Sequence, residues 1–570
     1  PRLAHPSSSG ADSTNSNSAA TVRSRSLGRG RTVLVTLLLA LAGVLAVAAP
    51  AAAHAVLVSS DPVDGSRLSS SPEQVTLRFD EAVQLVPGTA KVLSATGDRA
   101  DTAAPRLTSG STTIVIPLKS ELPRGSYTVT WRVISADTHV VVGSITFGVG
   151  QNAGSVSPTT TTTSALDVVA DAAKGLGYLG AVLAFGLAAV GRTLWPWITR
   201  RRRTRTLGWI GGAALLAGTL LELLLQGPRA TGSGWPGVLR LDDLGQTLGS
   251  AYGVALLTRG VLLAALVALR PWRATSSWRS WLPRLLLAVG VLATIAVSGH
   301  AAAGADAAIA IPVAVVHLAA MCVWLGGLIA LVCTVLPRGK LAPRIHPRLF
   351  SGRFLSAWSL TAFVCVALLI VTGEYQAWRE VQPVPSLWTT GYGITLLIKV
   401  GLVIVALGMA VAMRSLTAGL RHTGPSSFST VRRSIWVETV VVAAVVVVTT
   451  VLVAQPPAST SYGPAAQLTA PLGANTIRIE VDTTRRGPEK ITVTAVDAHG
   501  DPVALSSVDG VLSSESAGVA GLDVAFRPAT GDSWRSVAAI APVAGFWTLT
   551  LNTVAADGEA YATSARYDVW

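Results

Sequence analysis

Three regimes of hydrophobic patterning succeed one another along the chain. Between residues 54 and 150, apolar and polar positions alternate in Gln74–Asp80 (QVTLRFD), Thr89–Ser94, Thr112–Leu118, Ser126–Ile134 (SYTVTWRVI) and Val141–Val149. A period of two puts every second side chain on one face of a strand, and the Pro, Gly, Asp and Ser between the runs are turn formers. These strands predict an N-terminal all-β sandwich. From 166 to 455 the alternation gives way to unbroken apolar runs at roughly 166–191, 207–226, 249–269, 283–300, 308–336, 354–374, 391–413 and 434–454. Runs near the ~18–20 residues that cross a bilayer predict an eight-helix transmembrane α bundle. Period-two runs return in 456–570, at Asn475–Val481, Lys490–Val496, Ser536–Ala541, Phe546–Leu551 and Arg566–Val569, and predict a small C-terminal all-β sandwich. The stretch 151–165, with SPTTTTTS, and QPPASTSYGP from Gln455 cannot build cores and read as linkers.

Charge sets the orientation. The net charge of +14 would suit nucleic acid if it lined a groove, but the basic residues sit in short loops between apolar runs. The loops at 200–206, 270–284, 337–353 and 414–433 carry 18 Lys and Arg in all, and the alternate loops at 227–248, 301–307 and 375–390 carry 3. Positive-inside counting places the first set in the cytoplasm and both β-regions outside a cytoplasmic membrane. The first 53 residues agree with this. A polar, disordered-type leader precedes Arg23, Arg25, Arg29 and Arg31, then an apolar run from Val33 to Ala48, then Ala51-x-Ala53. That order is a secretory signal with a small-residue cleavage site, so His54 is the expected mature N-terminus. Cys322, Cys333 and Cys365 all fall in apolar runs, which leaves no disulfide framework for the exported regions.

An N-terminal histidine offers an amine and an imidazole from one residue. The β-region 54–150 has one other histidine, His139, with Asp137 two positions before it and on the same face of an extended segment. Together they supply three nitrogens and one carboxylate oxygen, a tetragonal set suited to Cu(II); zinc takes similar atoms but favours a tetrahedron. The region has no Met or Cys, hence no soft site for Cu(I). In the apolar block, His300 (SGHAAAGAD) and His317 (VVHLAAMCVWLGGL) fall toward the outer face, with Met321 one turn from His317 and Cys322 next to it. Cys365 and Cys333 lie deeper, and polar residues at membrane depth are functional candidates. Arg259, Lys399 and Glu438 are further polar residues in or near the spans, and His499, beside Gly500 and Asp501, reads as a solvated turn residue.

The stretches HAVLVSSDPVDGSRLSSSPEQVTLRFDEAV and YTVTWRVISADTHVVVGSITFGV resemble CopC-type copper-binding proteins. The resemblance implies that His54, Asp137 and His139 are Cu(II) ligands and makes Glu81, in the matching strand, a candidate supporting residue. The Met-rich loop that gives some CopC proteins a Cu(I) site is absent. The apolar block resembles CopD-type membrane proteins through SGHA, HLAAMCVWLGGL, RFLSAWSLTAFVCVALLIVTGEYQAW, YGITLLIKVGLVIVALGMA and RRSIWVETVVVAAVVVVTTVL. The C-terminal region is similar to small FixH- or YtkA-like β-domains. These resemblances imply a copper uptake protein: copper is the metal, the bilayer and copper ions are partners, and an extracytoplasmic copper chaperone is a candidate partner. A sensor or tolerance protein that binds copper without moving it is the alternative, and a copper or haem oxidoreductase a lesser one. The chain has no P-loop, so no nucleotide is expected, and it is not read as an enzyme.

Overall fold

The computed structural model describes residues 55–135, 140–153, 164–269, 278–303, 306–335, 352–419, 427–515 and 519–570. The first region forms nine strands: β1 (Leu57–Asp61), β2 (Ser66–Leu68), β3 (Gln74–Phe79), β4 (Gln84–Leu85), β5 (Lys91–Ser94), β6 (Arg106–Thr108), β7 (Thr113–Pro117), β8 (Gly125–Ile134) and β9 (Val140–Val149). One sheet runs β1-β3-β7-β6; the other runs β2-β9-β8-β4, with β5 also on β8. The inward residues of both, among them Val75, Leu77, Phe79, Ile114, Ile116, Val129, Trp131 and Phe147, form one buried core. This alternation is the one visible in QVTLRFD and SYTVTWRVI. Gly143 on β9 has a packing reason: it faces Trp131 of β8, and a Cβ there would sit 2.2 Å from the indole ring.

Eleven helices follow among the described residues, rather than the eight expected. They are α1 (Ala165–Thr193, with a π-bulge at Val182–Gly186), α2 (Arg202–Thr231), α3 (Leu241–Leu248), α4 (Ala251–Ala268), α5 (Trp278–Ala296), α6 (Ala307–Ala330), α7 (Gly352–Glu380), α8 (Ser386–Thr389), α9 (Gly391–Gly419), α10 (Ser427–Leu452) and α11 (Ala458–Ser461). The additional three, α3, α8 and α11, have eight residues or fewer, too short for a spanning run to reveal them. Seven helices are long and apolar enough to cross a membrane, and the apolar part of α5, Trp281–Ala296, is shorter. Large apolar side chains face outward, including Val261 (68% exposed), Ile404 (63%) and Val411 (69%). Lipid tails solvate such a surface and water does not. At the centre, Gly186 in the π-bulge of α1 meets Gly326 of α6, and a Cβ on Gly186 would lie 2.0 Å from the Cys322 carbonyl oxygen. Small residues let two backbones approach this closely where dispersion alone must hold them.

The last region departs from the expected sandwich. Its strands are β10 (Ala466–Leu472), β11 (Asn475–Val481), β12 (Gly487–Glu489), β13 (Ile491–Val496), β14 (Pro502–Val503), β15 (Leu505–Ser514), β16 (Val519–Pro528), β17 (Ser533–Ser536), β18 (Ala539–Ala541), β19 (Gly545–Ala555) and β20 (Ala560–Val569). Nine of them belong to one sheet, ordered β10-β11-β13-β17-β16-β15-β19-β20 with β14 on β13, and β10 returns beside β20 to make a nearly closed barrel. A twisted sheet of this width curls on itself, here around a core centred on Trp547. Alternation along single strands reports a buried face and is silent on whether it meets a second sheet or its own far edge.

Candidate metal sites

His54, Asp137 and His139 lie outside the described residues, but the segments that flank them are described. Val56, two positions after His54, is tied to Asp80 twice. Its N–H donates to Asp80 Oδ1 at 2.7 Å, and its carbonyl accepts from the Asp80 N–H at 3.1 Å. Asp80 directly follows β3, and the chain then crosses from one sheet to the other through Glu81, which is half-buried, to Gln84 on β4. Gln84 is the register partner of Ile134, the last residue of β8, and Ile134 is in turn opposite Val140 at the start of β9. One short crossing, Asp80 to Gln84, which carries Glu81, therefore joins the residue that holds Val56 to the residue paired with Ile134, at one corner of the sandwich. Burial pushes the Asp80 carboxyl above its ordinary range, and the Val56 N–H and the Arg486 guanidinium partly offset this.

That corner rests on the helix block. Arg132 of β8 donates to the Arg229 carbonyl near the end of α2 at 3.2 Å. Beside this contact is a cavity of about 180 Å³. Gln84, Leu85, Val86, Pro87 and Ile134 wall it on the β side, and the end of α2 (Gln226, Gly227, Ala230) and the α3–α4 corner (Gln246, Thr247, Gly249, Ser250) wall it on the other. Its polar lining is neutral amide and hydroxyl. One turn below Gln226, Glu222 accepts from Tyr252 Oη at 2.7 Å and pairs with Arg259 at 3.5 Å. Arg259, singled out by sequence, is therefore half of a buried pair whose acidic partner was not.

In the membrane block, His317 on α6 faces α7. Its Nδ1 lies 2.8 Å from Thr372 Oγ1, and Gly373 leaves room for the ring. The Thr372 hydroxyl has one proton and directs it at the Leu368 carbonyl, 2.5 Å away. It must therefore accept from His317, which fixes the proton on Nδ1 and leaves the Nε2 lone pair for another bond. Gly327 against Trp358 and His317 against Thr372–Gly373 set the antiparallel register of α6 and α7, which puts Met321 near the level of Cys365. Both belong to one hydrophobic cluster. Cys322 is buried on another side of α6, its backbone against Gly186 of α1.

His300 does not end a helix: α5 stops at Ala296, and His300 opens a 3₁₀ turn. Arg379 of α7 holds that turn by donating to the carbonyls of His300 (3.3 Å) and Ala303 (2.7 Å), while both carboxylate oxygens of Asp306 receive it at 2.9 Å. Tyr375 Oη donates to the same carboxylate at 2.7 Å. The α7 segment thus supports both histidines, a role that an apolar run ending in ordinary polar residues does not announce. Among the described residues, no group of three or more His, Cys, Asp or Glu side chains is placed to hold a metal. His499 sits in a turn, 86% exposed, beside Asp497.

Residues 57–150 match the CopC domain family, and residues 165–310 match the copper resistance protein D-like N-terminal domain. Residues 352–452 match copper resistance protein D. The chain is a CopC–CopD fusion. It is similar to the copper transport protein CutJ of Bacillus subtilis (strain 168), 29% identical over 465 residues that cover 79% of this chain and 83% of CutJ. Copper resistance protein C of Pseudomonas syringae pv. tomato is 40% identical over 109 residues, 18% of this chain and 86% of that protein. Among solved structures, CopC from Methylosinus trichosporium OB3b is 30% identical, covering 17% of this chain and 93% of that one with a TM-score of 0.16. The fusion is a multi-pass membrane protein with a copper-related function. Its CopC unit supplies the corner built from Val56, Asp80 and Ile134, and its CopD unit supplies the His300 turn and the helix carrying His317.

Proposed function

We propose that the fusion captures Cu(II) outside the cytoplasmic membrane through His54, Asp137 and His139 and moves copper inward through the CopD block. The observation that carries this reading is the seating of the CopC corner on the helix ends. The chain enters the 135–139 loop from Ile134, a residue of the cavity wall shared with α2 and the α3–α4 corner. The CopC unit is thus seated on the membrane block at the strand end that leads toward Asp137 and His139. The β-regions lie at the helix ends remote from the arginine-rich turn at Arg200–Arg205, which fits an extracytoplasmic placement under the positive-inside rule. The name of CutJ, a copper transport protein, supports the same reading.

Inside the block, the His317 Nε2 lone pair and the softer sulfur donors of Met321 and Cys365 along the α6–α7 interface suit Cu(I), so copper captured as Cu(II) takes one electron from an external small-molecule or protein reductant before it enters. Binding and transport make up the proposed activity, with no catalytic step. Copper content of cells with and without the chain tests it. Cells carrying the wild-type protein should accumulate copper, and His317→Ala cells should not, although their protein still binds Cu(II) outside. A second reading, external binding without transport, draws on the lack of a three-ligand His/Cys/Asp/Glu cluster among the described residues. Equal copper content with and without the protein would select it.

A further inference from the structure

The C-terminal barrel touches the CopC unit at Asp80 and Val56. Arg486 Nη1 reaches Asp80 Oδ2 at 3.7 Å, and Asp80 is the residue that grips both backbone groups of Val56. Both side chains are largely covered, Arg486 at 18% and Asp80 at 16% exposure. Beside them Gly487, at φ +111°, lies against Val56: a Cβ there would be 3.3 Å from Val56 Cγ1. On the turn after β1, Gly65 (φ +74°) packs on Val537 so closely that a Cβ would meet its carbonyl oxygen at 2.8 Å. The barrel side of this contact is itself held. The Arg486 N–H donates to the Trp570 carbonyl at 3.2 Å and the Trp570 N–H to the Thr484 carbonyl at 2.9 Å, which ties the arginine's backbone to the residue that follows the barrel's last strand.

We propose that the C-terminal barrel is a brace for the copper-binding unit, with Arg486 as a positioning residue that locks the Val56–Asp80 pair and so pre-organises the arm bearing His54. This rests on the Cu(II)-capture reading of His54, Asp137 and His139. A chelate that uses the chain's amine and first imidazole must hold a terminal segment, which is ordinarily the most mobile part of a domain. Fixing the backbone two residues away removes part of the ordering that binding would otherwise require, so the brace slows release of the ion. It also gives the barrel a role that needs no ligand of its own, in keeping with its solvated His499.

The test uses the whole protein processed to begin at His54, in detergent or nanodiscs, with Cu(II) as the probe. Amide exchange at Val56–Asp61 reports the brace, and the rate of Cu(II) transfer to a chelator reports the site. Arg486→Glu should speed exchange at Val56–Asp61 and raise Cu(II) release about tenfold, ~1.4 kcal/mol. Arg486→Lys should restore both toward wild type. Val537→Arg, which crowds Gly65 from the barrel side, should act in the same direction as Arg486→Glu. Faster exchange with unchanged Cu(II) release would overturn the brace, as would unchanged exchange in both disruptive variants. His139→Ala separates the two layers. If it binds Cu(II) as wild type does, the capture reading fails and the brace of that site fails with it. If it loses Cu(II) while Arg486→Glu releases Cu(II) at the wild-type rate, only the brace is wrong.

Discussion

The two β-regions are similar in their alternation and turn-rich composition, yet they solve the burial problem differently. The CopC unit splits its strands into two sheets that share a core, so strands must cross between sheets, and one such crossing, Asp80 to Gln84, brings the flanks of the predicted ligands together. The C-terminal region keeps nine strands in one sheet and curls it nearly shut around Trp547. A barrel closed in this way has few sheet-to-sheet crossings at which distant segments converge. Its lone histidine is left in an exposed turn. The chemistry therefore follows the corners a topology creates rather than its β content.

The sharpest way to break this comparison is to move ligands. His139→Ala should lower Cu(II) affinity by several orders of magnitude, and one alanine placed before His54 should do the same by displacing the amine from the imidazole. His499→Ala should change nothing. Isothermal titration of Cu(II) measures all three, and an effect of His499→Ala comparable to that of His139→Ala would erase the distinction between the two regions.

Core substitutions come next. Trp547 is fully buried at the barrel's centre, and Trp547→Ala should cost about 3–5 kcal/mol in that region while leaving Cu(II) binding by the CopC unit largely intact. Calorimetry with a parallel Cu(II) titration would show it, and joint loss of both regions would mean that they fold as one unit.

The barrel should show a pH effect of its own. Burial raises the Glu489 carboxyl to about 7, against the hydrogen bond it accepts from Tyr567 Oη, which acts to lower it. The protonated form is thus favoured in the folded state. Between the unfolded value near 4.5 and about 7, the folded chain binds the extra proton, so barrel stability should fall as pH rises through this window. The loss should be on the order of 3 kcal/mol. Glu489→Gln should flatten the profile in chemical denaturation; stability that rises from pH 5 to 7 in the wild type and not in this variant would reverse the assignment.

The smallest change belongs to the CopC unit. Gly143→Ala should destabilise it by about 1–3 kcal/mol, since the new methyl must displace the Trp131 ring. A neutral melting temperature would show that the β8–β9 pair can shift.

Much of this was legible in the sequence because it rests on period and loop charge. The alternation of QVTLRFD and SYTVTWRVI marked β3 and β8, and the long apolar runs marked the spanning helices. What escaped had no period. The helices α3, α8 and α11 are too short to build one, and barrel closure depends on which edges meet. The partners of His317 and Arg259, namely Thr372 and Glu222, sit on other helices at distances no single-chain pattern encodes. Arg379 near the end of α7 entered the sequence reading only in the count of loop charges, and only the fold shows it holding the His300 turn. The predicted Cu(II) ligands were named from residue chemistry and resemblance, and the structure contributes the corner on which their flanking segments meet.

Inward copper movement is the central claim, and uptake into sealed proteoliposomes of defined orientation, with a copper-chelating dye inside, tests it most directly. With the β-regions outward and a reductant present, the dye should respond in wild-type vesicles and stay silent in His317→Ala vesicles that still bind Cu(II) on their surface. A wild-type signal no greater than that of protein-free vesicles would contradict it.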